Sequence, residues 1–247
     1  MRWFRADLHI HSVLSPCGDL DMSPLNIIKT AKEQKLDFIA ISDHNSTYHA
    51  SLMMELGRRE GVVVFPGVEI STREEIHCLC LFETLDQINE IQCFLDEYSM
   101  QFPNNPEKFG LQLVVDEKEK IIKYVDDLLI VGLNVSIEQV ELKVHELGGV
   151  FILAHVDRMV HSIYAQLGFI PLDLHVDAIE FSSQTTKEKL IERKPELKKY
   201  SLISNSDAHT IDSIGNRYSE YFLEEISFPE FKKALANEGE RTTRTCI

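Results

Sequence analysis

Lysine and arginine are scarce, 25 against 40 aspartates and glutamates, leaving a formal net charge of −15. A surface that grips nucleic acid through many phosphates needs clustered cations, so this balance argues against an extended nucleic-acid interface. A small anion stays within reach where bound metals reverse the charge locally. Cysteine is also sparse: five residues, an odd number with no CxxC pair, point to reduced thiols in a cytoplasmic protein rather than to a disulfide framework. Cys78 and Cys80 alternate with leucines and read as buried strand residues rather than as a thiolate metal site. No run is long and apolar enough to span a bilayer. Charged residues from Arg2 onward precede any apolar run, so no secretory signal is expected. Low-complexity tracts and internal repeats are missing too.

What is present suits one globular domain over residues 1–247, with 44% apolar and 26% charged residues. Short β-rich runs alternate with amphipathic stretches, the pattern of an α/β fold with parallel strands. The expected strands are Ala6–Ile10, Phe38–Ser42, Val62–Pro66, His77–Phe82, Val150–Ala154, Ala178–Phe181, Ser201–Ser204 and Tyr218–Leu223. Ser23-Pro24 reads as an N-cap and first turn, with Leu25, Ile28 and Ala31 on one helix face. Ser136 with Gln139, and Ser227 with Glu230, resemble capping boxes. Residues 84–135 break the alternation and are expected to form an inserted helical subdomain, either a cap over the site or a passive insertion.

The histidines carry the functional signal through their placement. His9 and His11 end the first strand, His44 follows the second, Glu69 follows the third and His77 begins the fourth. His155 ends the Val150–Ala154 strand, and Asp207 with His209 follows Ser201–Ser204. Loops after the carboxyl ends of parallel strands converge on one face, so these residues can meet; His77 needs an antiparallel strand or a loop position to join them. Each has an ordinary explanation alone, as surface polarity for His-x-His, a helix-capping turn for Asp43-His44, a turn acid for Glu69 or a satisfied core histidine for His155. Their joint occurrence at successive strand ends favours a site for divalent transition metals, which imidazole nitrogens and carboxylate oxygens ligate well. His49, His145, His161 and His175 lack this placement and read as surface or structural residues.

With these residues in view, the sequence resembles the PHP (polymerase and histidinol phosphatase) family. The resemblance rests on Asp7-Leu8-His9-Ile10-His11-Ser12, Ile41-Ser42-Asp43-His44-Asn45-Ser46, Gly67-Val68-Glu69-Ile70-Ser71, Ala154-His155-Val156-Asp157-Arg158 and Ser204-Asn205-Ser206-Asp207-Ala208-His209. It implies a distorted (β/α)7 barrel with a helical insertion, holding two or three divalent metal ions (Mn, Fe or Zn). On that resemblance His9, His11, Glu69 and Asp207 hold a first ion. A bridging Glu69 shares the second with His77 and His155, and Asp19, His44 and His209 hold the third, with Asp21 able to substitute for Asp19. The sequence departs from the family where Val156-Asp157 follows His155, a place where many relatives have proline.

The implied activity is a metal-dependent phosphoesterase that hydrolyses a small phosphorylated substrate, a phosphomonoester or short nucleotide, by metal-activated hydroxide. Arg158 is the candidate phosphate clamp, because a guanidinium fork suits phosphate oxygens, with Arg73, Arg217 and Lys187 as further basic candidates. Asp43 is a candidate proton shuttle or an orienting neighbour of the ligands. Amide or lactone hydrolysis, histidinol phosphatase activity and a non-catalytic metal-binding regulatory module are the alternatives.

Overall fold

The computed structural model describes residues 1–246. The chain opens with β1 (Arg2–Asp7), α1 (Pro24–Glu33), β2 (Phe38–Ile41), α2 (Ala50–Glu60), β3 (Val63–Ser71) and β4 (His77–Leu81). After these come α3 (Leu85–Tyr98), α4 (Pro106–Phe109), β5 (Leu113–Val115) and β6 (Ile121–Tyr124). The remainder is α5 (Ile137–Glu146), β7 (Val150–Leu153), α6 (Ile163–Gln166), β8 (Ala178–Glu180), α7 (Lys187–Arg193), β9 (Leu202–Ile203), β10 (Tyr218–Leu223), α8 (Phe228–Ala236) and β11 (Thr242–Cys246). Among the described residues no helix is long and apolar enough to cross a membrane.

The main sheet runs β11-β10-β1-β2-β3-β4-β7-β8-β9. Its ends, β9 and β11, come together without ladder pairing, which leaves a distorted α/β barrel with one open seam. β1, β2 and β3 are parallel, as are β7, β8 and β9, while β4 runs antiparallel to both β3 and β7. Side chains alternate across each strand, and alternate positions fill the barrel: Phe4 and Ala6, Phe38 and Ala40, Phe65, Leu79 and Leu81, Val150 and Ile152. Phe228 and Phe231 of α8 plug the end at which β2 begins, with the Phe231 ring 5.4 Å from those of Phe65 and Tyr221. Burying each such ring contributes roughly 1.5–3 kcal/mol. The opposite residues of each strand, Ile39, Val64, Cys78, Cys80 and Phe151 among them, pack outward against the helices. Cys78 and Cys80 therefore face away from the barrel interior, and burial pushes both thiols well above their ordinary range.

Four expectations need correction. β3 continues through Glu69 to Ser71 because β4 folds back on it, pairing Ser71 with His77. The strand that ends at Ile10 stops instead at Asp7, and His9 and His11 lie in the segment beyond it, beside Ala208. Residues 84–135 are not wholly helical: α3, with its Thr84–Gln87 capping box, is followed by the short α4 and then the β5–β6 hairpin. The charged run there closes a turn, Asp116 accepting from the backbone N–H groups of Lys118 and Lys120, and β-branched Val114, Val115 and Ile121 flank it. Finally, Ser227 caps α8 but Glu230 does not return to it, its carboxylate being taken by Glu224 N–H, Lys233 and Arg241.

The caps at Ser23 and Ser136 form as expected, the latter as a full box with Gln139. In α1, Ile27 is buried alongside Ile28 and Ala31, and Leu25 is only partly covered.

Candidate metal centre

Strand alternation aims the central acid. Glu69 stands two pleats beyond Phe65 on the same face, so its side chain points into the barrel mouth above the aromatic core. His77 pairs with Ser71 across the hairpin, which puts His77 and Glu69 diagonally adjacent on that face. The antiparallel β4 is thus how His77 joins residues placed by parallel strands. On the far side, His9-Ile10-His11 and Asp207-Ala208-His209 lie side by side, joined by His11 N–H to Ala208 O (2.9 Å) and Ala208 N–H to His9 O (3.1 Å). Asn45, His155, His161 and Asp207, four of the nine described non-glycine residues with positive φ, lie around this mouth.

Five imidazole nitrogens surround the Glu69 carboxylate. Oε1 is 3.2 Å from His9 Nε2, 2.9 Å from His77 Nδ1 and 3.1 Å from His155 Nε2. Oε2 is 3.4 Å from His11 Nε2 and 3.0 Å from His44 Nδ1. Asp207 Oδ1 lies 3.4 Å from His9 Nε2, 3.2 Å from His11 Nε2 and 3.6 Å from His209 Nδ1. Burial opposes ionisation of Glu69, but His77, His9 and His44 more than offset it and hold its carboxyl well below the usual range. Asp207 is likewise desolvated yet held low by His9 and His11.

The hydrogen-bond network fixes the tautomer of His11. Ser15 Oγ donates its only proton to Asp43 Oδ1 (2.8 Å), so at 3.0 Å from His11 Nδ1 it must accept, and Nδ1 carries the ring proton. Burial and the neighbouring His209 and His44 hold His11 well below the ordinary imidazole value, hence neutral. Its Nε2 lone pair therefore faces two carboxylate oxygens with no hydrogen-bond partner. A divalent cation between them turns that repulsion into ligation. His9 differs: burial favours its neutral form, but Glu180, Asp207 and Glu69 raise its pKa well above normal. The two rings together show a site that calls for positive charge, which a proton on His9 supplies only in part. His11, His44 and His209 converge in one possible ligand set, His9, His11 and Glu69 in a second, and His44, Glu69 and His77 in a third.

Asp43 is committed to structure. Its oxygens take Ser12 N–H (2.7 Å), Ser12 Oγ–H (2.7 Å) and Ser15 Oγ–H, so it orients His11 through Ser15. Glu180, passed over in the sequence, is the more informative carboxylate. It is buried, lies 3.0 Å from His9 Nδ1, and also accepts from Asn205 Nδ2 (2.8 Å) and His155 N–H (3.0 Å). Its signal was an acid two residues after Ala178, on the barrel-filling face of a strand end. Asp19 is exposed; its Oδ1 accepts from Leu20 N–H, and it reaches the site only through its backbone bond to His209 O. Asp21 is exposed in the same groove. Arg158 is at the rim, its guanidinium 2.5 Å from Asp207 Oδ2.

The histidines set aside in the sequence sort differently. His49 is buried, donating from Nδ1 to Ser12 Oγ (2.7 Å) and accepting Val115 N–H at Nε2 (3.0 Å), which anchors the insertion beside the centre. His161 stacks on His77 with ring centroids 4.5 Å apart. His145 sits between Glu141 and Asp177, and His175 is exposed. Among the further basic candidates, Arg217 is buried against Ser204 and Thr185, so it cannot clamp a phosphate at the mouth. Arg73 is exposed beside Glu74.

A barrel whose mouth gathers imidazoles around a buried carboxylate defines an α/β protein with side-chain clusters able to hold metal ions. Residues 7–159 match the PHP domain, and the chain belongs to that family. It is 30% identical over 115 residues to the uncharacterised protein YqxK of Bacillus subtilis, covering 44% of this chain and 28% of that one. In fold it is similar to the lesion-specific endonuclease Q of Pyrococcus furiosus, with a TM-score of 0.74 and 19% identity over 98% of this chain and 57% of that chain. Endonuclease Q has also been solved with a 27-mer duplex carrying an abasic lesion at the active site. A protein proposed to be a metal-dependent phosphoesterase, from Bifidobacterium adolescentis, matches with a TM-score of 0.57 and 17% identity over 83% of this chain and 87% of that one. At these identities the structural likeness is one of fold. The matches span less than two thirds of both YqxK and endonuclease Q.

Proposed function

We propose that the protein is a metal-dependent phosphoesterase acting on a small phosphorylated substrate. His9, His11, Glu69 and Asp207 hold one divalent cation, and Glu69 with His77 and His155 holds a second. His44 and His209 supply a third position, to which Asp19 must swing inward if it is to contribute. The observation that carries this reading is His11, whose neutral Nε2 faces Glu69 and Asp207 oxygens at 3.4 and 3.2 Å. Bound divalent cations supply Lewis acidity and lower the pKa of water enough to make hydroxide available near neutral pH.

The chain's own groups do the positioning. Glu180 fixes the His9 ring, Asp43 fixes His11 through Ser15, and Glu69 joins the two halves of the cluster. Arg158, at the rim on Asp207, exchanges that contact for a phosphate oxygen as substrate arrives. All-N/O ligation is compatible with Mn, Fe or Zn.

A second reading, cleavage of a nucleic-acid phosphodiester, is favoured by the likeness to endonuclease Q over 98% of this chain. The net charge of −15 weighs against a broad duplex-binding surface. The deciding experiment joins metal analysis of the purified protein to a panel of nucleotides, short oligonucleotides, an abasic duplex, sugar phosphates, histidinol phosphate and amides. Phosphoester turnover that disappears on chelation and returns with Mn, Fe or Zn is expected. Full turnover after exhaustive chelation sinks the proposal, and turnover of amides alone reassigns the reaction.

A further inference from the structure

Between the loop after His155 and the segment after β8 lies a cavity of about 350 Å³, lined by Arg158, Met159, Tyr164, Leu190, Arg193 and Lys194, and by Asp157, whose two oxygens are taken by the N–H and Oγ–H of Ser182. That size is at the lower end of the roughly 300–1,000 Å³ typical of ligand clefts. Three cations and one acid line it, a local excess of two positive charges in a chain where acids outnumber bases 40 to 25. Only Arg158 is paired, with Asp207. Arg193 and Lys194 have no carboxylate within ion-pair distance among the described residues, and the Lys194 ammonium rests 3.9 Å from the Tyr164 ring centroid.

The surrounding sequence repeats the bias. Lys187–Lys199 contains six cations (Lys187, Lys189, Arg193, Lys194, Lys198, Lys199) and three acids (Glu188, Glu192, Glu196), a local excess of three positive charges in a chain of net −15. Scattered surface lysines are ordinary, but here two unpaired cations share a concave wall with the arginine that touches Asp207. Like charges gathered in a cleft focus the field and attract an anion. Met159, Tyr164 and Leu190 offer apolar surface for the carbon skeleton that carries it.

We propose that this cavity is a second anion subsite, taking a second phosphate of a substrate whose first phosphate lies over the histidine cluster. Arg158 stands between the two positions. This rests on the phosphoesterase reading above. The second phosphate belongs either to a small bisphosphate or to the neighbouring position of a short nucleic-acid strand, and the recognition chemistry is the same.

The test is calorimetric binding to the full chain loaded with manganese, using an alkyl phosphonate, the matching terminal bisphosphonate and a short single-stranded oligonucleotide. Phosphonates resist hydrolysis, so binding is read apart from turnover. Wild type is expected to bind the bisphosphonate at least about tenfold more tightly than the monophosphonate, the effect of one charge-assisted contact. In the Arg193→Ala/Lys194→Ala double variant the ratio should fall towards one, while Lys194→Arg keeps most of it. Arg193 is exposed and Lys194 only partly buried, so a melting temperature close to that of wild type is expected to accompany the loss. Equal affinities in wild type, or a ratio unmoved in the double variant, overturns the subsite. A parallel loss of oligonucleotide affinity assigns the second phosphate to a strand, and a loss confined to the bisphosphonate assigns it to a small substrate. If no phosphoester is hydrolysed but the ratio holds, the phosphoesterase reading fails and the subsite stands.

Discussion

Glu180 holds the His9 ring from behind, its oxygens 3.0 and 3.1 Å from Nδ1, so that Nε2 is directed at Glu69 and Asp207. A carboxylate behind a ligating imidazole fixes both ring orientation and tautomer, and loss of such a partner typically costs 10–100-fold in metal affinity. Glu180→Ala should weaken manganese binding by roughly that factor in a chelator competition, with Glu180→Gln retaining part of it through its amide oxygen. Wild-type affinity in both variants would show that the cluster orients His9 without help.

Glu69 and His209 should differ sharply in their effect on metal content. Five imidazoles approach the Glu69 carboxylate, whereas the His209 side chain lies 28% exposed at the edge, its ring within ion-pair distance of Asp207 alone among the described acids. On the proposed assignment, Glu69→Gln removes the charge shared by two cation positions, and His209→Ala removes one ligand from one position. Elemental analysis is expected to find less metal in Glu69→Gln than in His209→Ala. Equal stoichiometry in the two would count against a bridging carboxylate.

Away from the metal centre, His145 gives the fold its own pH dependence. Its Nε2 bonds Asp177 Oδ2 at 2.9 Å and its Nδ1 bonds Glu141 Oε1 at 2.6 Å. The Asp177 hydrogen bond, aided by Glu141 and opposed by burial, raises its pKa above the ordinary value. A group whose folded pKa is raised contributes its full stability below the unfolded value of about 6.5 and loses it as pH rises through the folded value. The melting-temperature gap between wild type and His145→Gln should therefore be widest near pH 5 and shrink towards pH 9. A gap that is flat or widens with pH contradicts the charged pair.

How far the sequence could be read follows from how local each signal is. The barrel strands announce themselves because Phe38–Ile41 and Val150–Leu153 are buried on both faces and so are apolar throughout. β11 gives no such sign: Thr242–Cys246 is a partly exposed edge strand whose place is set by pairing with β10. The β5–β6 hairpin stayed hidden because every residue of Ile121–Tyr124 is exposed, leaving no alternation to detect. In the centre, His9, His11, His44, His77, His155, Asp207 and His209 were legible because a polar ligand type at a strand end is unusual. Glu180 was not, since its meaning depends on contacts with His9, 171 positions away, and Asn205. The same applies in reverse to Asp19, whose loop directs its carboxylate to its own neighbour's N–H.

Arg158 is expected to act on substrate and not on metal. A guanidinium cannot ligate a cation, and its planar fork matches phosphate oxygens. In the structure it pairs with Asp207 Oδ2, leaving Asp207 Oδ1 to face His9 and His11. Removing the side chain therefore leaves the metal-facing oxygen in place. Arg158→Ala should keep its metal content while kcat/KM for phosphoesters falls by roughly ten- to a thousand-fold, the range from one charge-assisted contact to one transition-state donor. Arg158→Lys should recover only part of the loss, because it restores the charge without the fork. The readouts separate two roles: lost metal with lost activity would make Arg158 a support for Asp207, whereas intact metal with lost activity makes it a phosphate clamp. Wild-type kcat/KM in Arg158→Ala would exclude both and pass the test to Arg73 and Lys187, since Arg217 is already held by Ser204 and Thr185.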